Sequence, residues 1–141
     1  MRRLRVAAAV PGRVEARLCV LREPLSLWGG FDVSTGTLID ESHPDKGVNL
    51  AGRILAMREA RGSSSSSSAL VEAVRCGTAP AAIVLSRIDP ILLIGALVAK
   101  ELYDAAIPVL ILPLDCWPAL RTGALARFEA ESSEIVLLED D

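Results

Sequence analysis

Two aliphatic segments flank an unusual tract: Arg61 and Gly62 are followed by six consecutive serines, Ser63 to Ser68. On its left, Gly52-Arg53-Ile54-Leu55-Ala56-Met57 reads as a strand. On its right, Ala69-Leu70-Val71-Glu72-Ala73-Val74-Arg75 reads as a helix closed by Gly77. A serine run is most simply a flexible linker. Here, however, it joins two elements that are each too short to be a domain, so a linker would be a disordered loop inside a compact core. The other reading is a strand-to-helix turn. Serine is a favoured N-cap, the first helical turn leaves backbone N–H groups without partners, and the helix dipole places about half a positive charge there. Gly62 would let the backbone approach a ligand closely, and the serine hydroxyls and amides would face an anion such as a carboxylate or phosphate.

The chain has 141 residues, which predicts a single domain spanning 1–141. Apolar residues make up 51% but aromatics only 4%, so the core has to be built from Ala, Val, Leu and Ile. A net charge of −3 with both signs interspersed argues against a nucleic-acid partner. Met1-Arg2-Arg3-Leu4-Arg5 followed by Val6 to Val10 resembles the start of a signal peptide. Pro11-Gly12-Arg13 ends that apolar run well short of the 7–15 residues needed, and no run approaches the ~20 of a membrane span, so a cytoplasmic protein is expected. Cys19, Cys76 and Cys116 are odd in number and far apart, with no CxxC pair and no nearby histidine. They form neither a disulfide framework nor a metal site.

Along the chain, Val6 to Val10 and Arg13 to Leu21 read as strands joined at Pro11-Gly12, the second alternating at Val14, Ala16, Leu18 and Val20. Residues 29 to 47 are loop-rich and hold the one histidine, His43, beside Asp45 and Lys46. A loop this long is usually functional. His43 invites a role as base or phosphate carrier, but with no second histidine the plainer reading is a His-Pro turn whose imidazole is solvated or bonded to a backbone carbonyl. Ala79 to Leu85 reads as a buried strand. Asp89 and Pro90 supply an N-cap and first-turn proline for a helix to about Tyr103, with Ile91, Ile94, Leu97, Val98 and Leu102 at helical spacing facing the core. Asp89 as a catalytic acid is the alternative to the cap. Ile107 to Leu112 is a strand, Asp115 to Pro118 a short helix, and Ala124 to Ala130 and Ile135 to Leu138 the last strands, before a frayed acidic end at Glu139-Asp140-Asp141. This order indicates an α/β domain without fixing its topology.

Several segments, taken in order, resemble the swivel part of the aconitase X family. They are Ser34-Thr35-Gly36, His43-Pro44-Asp45-Lys46-Gly47, Leu50-Ala51-Gly52-Arg53-Ile54-Leu55, Gly62-Ser63-Ser64, Gly77-Thr78-Ala79-Pro80-Ala81-Ala82-Ile83 and Asp89-Pro90-Ile91-Leu92. The resemblance implies a swivelling β/β/α domain with a mostly parallel central sheet, helices on one side and a second β layer on the other. It also implies a hydro-lyase small subunit in which the first serine after the glycine, Ser63, takes a proton from the substrate. Gly62, Ser64 and Ser65, with Arg53 and Arg61, would bind the substrate anion. Aconitases have an arginine soon after the serine pair; here serine continues at Ser65 and Ser66, as in aconitase X, so which cation supports the base stays open. The family's iron–sulfur cluster would sit in a large partner subunit, with no cofactor in this chain. One branch of the family dehydrates cis-3-hydroxy-L-proline to Δ1-pyrroline-2-carboxylate and another (R)-mevalonate 5-phosphate to trans-anhydromevalonate 5-phosphate. Ala- and Arg-rich usage points to a bacterial source and the first. A stand-alone swivel or binding module, including a phosphohistidine carrier, is the reading of another class.

Elementary energetics bears on that role. A serine hydroxyl has a water-like pKa of about 15.7, so working near pH 7 needs a shift of roughly 8 units, about 11 kcal/mol. A helix N-terminus supplies at most about 2 kcal/mol. More positive charge and exclusion of water must come from outside the chain, which predicts an obligate interface around the serine tract and the 29–47 loop. Trp28, Phe31 and Leu38 are its candidate apolar contacts, with core packing as the alternative for each.

Overall fold

In a computed structural model, which describes residues 1–138, the chain forms one large sheet that curls until its two edges nearly meet. The strands are β1 (Arg2–Arg5), β2 (Ala7–Val10), β3 (Val14–Val20), β6 (Ile54–Ala56), β7 (Ala82–Leu85), β8 (Val109–Ile111), β9 (Leu125–Phe128) and β10 (Glu134–Leu138). Their order is β1-β10-β9-β3-β6-β7-β8-β2. Because β1 and β2 are consecutive, the first ten residues contribute to both edges. β3, β6, β7 and β8 run parallel, and the flanking pairs are antiparallel. After a one-turn helix, α1 (Leu27–Gly30), a second, two-stranded sheet pairs β4 (Phe31–Asp32) with β5 (Thr37–Leu38).

Burial follows from this layering. Every residue of β6 and β7 is buried, as expected of parallel strands covered on both faces. Leu55, Ile83 and Leu85 point to the helices α2 (Ser66–Cys76) and α3 (Pro90–Tyr103), in a cluster with Leu70, Ala73, Leu92 and Ala96. Ile54, Ala56, Ala82 and Val84 point the other way, against Phe128, Ile135 and Leu137 of the β9–β10 layer. The expected swivel-type α/β architecture is what the chain adopts.

Local signals hold where they were specific. Asp89 caps α3 by accepting from the Ile91 and Leu92 amides at 2.9 and 3.0 Å, with Pro90 in the first turn. Gly77, at φ 75°, closes α2 in the left-handed conformation. Four expectations need correction. The basic start Arg2–Arg5 is a strand: Leu4 turns inward while its arginine neighbours stay in water. Helix α2 starts at Ser66 rather than Ala69, so half of the serine tract is helical.

Helix α3 presents the opposite face to the core. Leu92, Gly95, Ala96 and Ala99 are buried, whereas Ile94, Leu97, Val98 and Leu102 are exposed. Small residues are required there because a Cβ on Gly95 would lie 3.1 Å from the Ser67 carbonyl oxygen. Finally, Phe31 and Leu38 pair across the β4–β5 hairpin and are core residues; of the three proposed interface side chains in this loop, Trp28 alone is exposed. The acidic end at 139–141 lies outside the described residues.

Candidate functional site

The parallel strand β6 delivers the chain to the C-terminal edge of the sheet, where Met57 is tied to Val84 and the Arg58 carbonyl accepts from both the amide and the hydroxyl of Ser86. Residues 58–65 then bridge to α2. Edges of this kind are where open α/β sheets bind ligands. The Arg61 amide donates to the Leu25 carbonyl at 3.4 Å, tying the bridge to the segment after β3.

Ser63 organises the turn into the helix. Its carbonyl accepts from the Ser66 amide at 2.9 Å, and its Oγ accepts from the Ser65 amide at 3.3 Å. Ser63 therefore serves as the cap for a turn that leads into α2, and its oxygen already faces backbone N–H. Ser63, Gly62 and Arg61 line a shallow, narrow recess together with Leu25, Leu27, Ala60, Ser66, Asp89, Ile91 and Leu92. Ser66 is buried, with its Oγ 3.5 Å from that of Ser26. The Ser67 hydroxyl donates to the Ile91 carbonyl at 2.5 Å, locking the first turn of α2 to the first turn of α3.

The sequence candidates divide by place. Arg61, Gly62 and Ser63 converge on the recess, whereas Ser64 and Ser65 belong to the turn but do not line it. Arg53 lies at the start of β6, the end away from the tract, beside Cys19. There burial pushes the Cys19 thiol up, with the Arg53 guanidinium opposing. Asp89 caps α3 and also walls the recess. Leu25, Leu27, Ser66 and Ile91 were not foreseen as part of a site; Ser66 lay inside the tract and Ile91 inside the Asp89-Pro90-Ile91-Leu92 segment, whereas Leu25 and Leu27 carried no signal.

His43 is buried. Its Nδ1 accepts from the Asp45 amide at 3.0 Å, so Nε2 carries the proton and donates to the Glu23 carbonyl at 2.9 Å. With both nitrogens engaged, it is a staple for its loop and not a phosphate carrier. Asp45 in turn binds the Arg22 guanidinium at 2.9 Å. The Ser42 hydroxyl and amide hold the Asp40 carboxyl below the usual carboxylate range, with smaller help from Arg61. Arg61 therefore shares part of its field with a neighbouring acid.

As to a cluster, the three cysteines are free and placed differently: Cys19 is buried, Cys116 half-buried and Cys76 exposed at the end of α2. Among the described residues no three His, Cys, Asp or Glu side chains converge where they could hold a metal. Among the described residues the donor set does not fit an iron–sulfur cluster.

The family model for the aconitase X swivel domain matches residues 3–137. The chain belongs to the aconitase X swivel family. It is 43% identical over 100 residues to a cis-3-hydroxy-L-proline dehydratase of Pseudomonas aeruginosa, covering 71% of this chain and 17% of that protein. It is 34% identical over 125 residues to a phosphomevalonate dehydratase small subunit of Pyrococcus abyssi, covering 89% and 90%. Its fold matches the crystal structure of Thermococcus kodakaraensis aconitase X in the holo-form with a TM-score of 0.87 at 30% identity, covering 99% of this chain and 100% of that one. The chain spans about a fifth of the length of the first two hydroxyproline dehydratases it matches, 17% and 22%.

Proposed function

We propose that this swivel chain, a single domain, is the small subunit of a cytoplasmic aconitase X-type hydro-lyase that dehydrates a small hydroxy-carboxylate, with Ser63 as the proton acceptor. The observation that carries the reading is the position of Ser63, the first residue after Gly62, in a recess at the C-terminal edge of a parallel sheet with its Oγ facing the Ser65 amide. Within this chain, Gly62 and Arg61 at the recess, with Ser64 and Ser65 in the turn, would receive the carboxylate, and Ser63 would take the proton from the neighbouring carbon. Arg53, beside Cys19, does not line the recess and would act on a substrate or partner group outside it.

The recess is too narrow to enclose a substrate. Substrate would therefore lie over its mouth and be enclosed by a large partner subunit, in which the iron–sulfur cluster of the family reading belongs. The group that receives the departing hydroxyl lies outside this chain.

The favoured substrate is cis-3-hydroxy-L-proline, supported by the Ala- and Arg-rich usage and by 43% identity over 100 residues to that dehydratase, against 44% over 82 residues to a phosphomevalonate dehydratase small subunit of Methanopyrus kandleri. The second reading is (R)-mevalonate 5-phosphate, favoured by near end-to-end matches to phosphomevalonate dehydratase small subunits. The test is reconstitution with the large subunit and assay on both compounds. Ser63→Ala is expected to lower kcat at least ~10²-fold, the low end for a positioned base. Near-wild-type turnover with Ser63→Ala, or robust turnover by the chain alone, would refute the assignment.

A further inference from the structure

Helix α3 is apolar on the side away from its own core. Ile94, Leu97, Val98 and Leu102 are 53%, 51%, 39% and 61% exposed, and their spacing of i, i+3, i+4 and i+8 puts them in one stripe. Charge is sparse along it: Glu101 lies within the stripe, and Lys100 at its flank is bonded to Asp104 at 2.6 Å. A helix that is hydrophobic all round is normally buried all round. The fold has no need of these side chains, since Leu92, Gly95, Ala96 and Ala99 make the contacts with the core.

Area and continuity decide what covers the stripe. The four side chains expose on the order of 400 Å², about half of the ~800 Å² that each side of a stable interface buries. Pairing α3 with α3 of a second copy would fall short. The stripe does, however, lead into two hollows whose lining mixes apolar side chains with Arg61, Asp89 and Glu72. Ile91, one turn before Ile94, lines the Ser63 recess; the recess shares Leu27 with a second groove lined by Trp28, Phe31, Val33 and Ala69. Trp28 is 59% exposed there, and Ile88, just before α3, is 58% exposed. A body that closes the recess is therefore already in reach of both ends, and α3 extends its contact by about 21 Å, at 1.5 Å per residue over 14 residues.

We propose that the outer face of α3, formed by Ile94, Leu97, Val98 and Leu102, is a docking surface for the large dehydratase subunit, which presents an uncharged, aliphatic groove to it. The proposal rests on the small-subunit reading. Its test is the affinity of the full chain for the large subunit from the same organism, measured by calorimetry for the wild type, Leu97→Glu and Leu102→Lys. Each substitution should raise Kd at least about tenfold and the pair about a hundredfold. The thermal midpoint of the isolated chain should be unchanged, as should kcat once the complex is saturated, because Ser63 is untouched. A change in Kd below about threefold in both variants would overturn the docking surface while leaving the subunit reading intact. So would a stable wild-type homodimer dissociated by Leu97→Glu, or binding to phospholipid vesicles lost in that variant. Failure of the wild-type chain to bind the large subunit at all would overturn both.

Discussion

Gly95 is where the helix layer and the serine tract press on one another, and substituting it should report on that contact. A Cβ built there lies 3.1 Å from the Ser67 carbonyl oxygen and 3.2 Å from both the Ser67 Cα and the Leu70 Cδ2. Two of these atoms are backbone and the third belongs to a fully buried leucine, so none can yield without moving α2 or α3. Gly95→Ala gains about 1 kcal/mol of helix propensity and loses about 1–3 kcal/mol to overpacking, a net cost of about 0–2 kcal/mol. Gly95→Val adds two further methyls against the same atoms and recovers less propensity, for a net cost of about 3 kcal/mol. At about 2–4 °C per kcal/mol for a domain near this size, Gly95→Ala should lower the thermal midpoint by no more than about 8 °C and Gly95→Val by about 6–12 °C. Because Ser67 also bonds Ile91, the Val variant should shift the Ser66 and Ser67 amide resonances before it unfolds. A Gly95→Val chain as stable as the wild type, with those resonances unmoved, would show that α3 does not bear on the serine helix.

Two further outcomes are expected. Since Cys19 is buried with its thiol pushed up by that burial, while Cys76 is exposed, alkylation of the native chain should mark Cys76 first and Cys19 only after unfolding; anaerobic reconstitution should leave the isolated chain colourless. Rapid native labelling of Cys19, or stoichiometric iron lost in Cys76→Ala or Cys116→Ala, would contradict this. Asp32 and Asp40, each bonded by the hydroxyl and amide of the serine two residues on, titrate below the usual carboxylate range. A depressed folded-state pKa means that their contribution is present above the unfolded value of about 3.9 and is lost as pH falls through the folded one. NMR titration should place both midpoints below that value, and a midpoint at or above it would refute these bonds.

How much of this was legible in the sequence depended on whether the signal was local. Asp89-Pro90 and Gly77 carry their own stereochemistry, and both cap as read. The alternation in β3 and the unbroken apolar run of β7 state directly whether one face or two are covered. Helix α3 gave no such statement. With apolar residues at nearly every position, periodicity cannot choose a face, and the choice is made by how closely α2 approaches, which favours Gly95, Ala96 and Ala99. Phe31 and Leu38 resembled surface residues because their partner is each other, across a hairpin too short to show a period. Within the candidate site, the serine turn was visible, but its walls at Leu25 and Leu27 come from a segment more than thirty residues upstream. Arg53 seemed close to the tract in sequence, and the length of β6 separates them.

The charges around Ser63 argue that this chain is inert until it is joined. Lowering the hydroxyl pKa to neutrality requires about 11 kcal/mol, and the N-terminus of α2 offers at most about 2 kcal/mol. That contribution fades within one turn, and α2 begins three residues after Ser63. Among the described residues lining the recess Arg61 is the one cation, and it lies near enough to Asp40 to add slightly to the lowering of that carboxyl, which is due chiefly to Ser42. Asp89 lines the same recess; its ionised form stabilises the cap of α3 and opposes an alkoxide at Ser63. With one cation and one acid lining the recess, intrachain electrostatics falls short of the requirement. A serine in such surroundings is an ordinary cap residue, and it becomes a base only when cations and a dry lid arrive from another surface. On the proposed reading, enclosure by the large subunit supplies both. The surface running from Trp28 past the recess to Leu102, apolar at its two ends with Arg61 and Asp89 between them, is then the chain's own contribution to that enclosure: its ends seal against water and most of the positive charge is left to the partner.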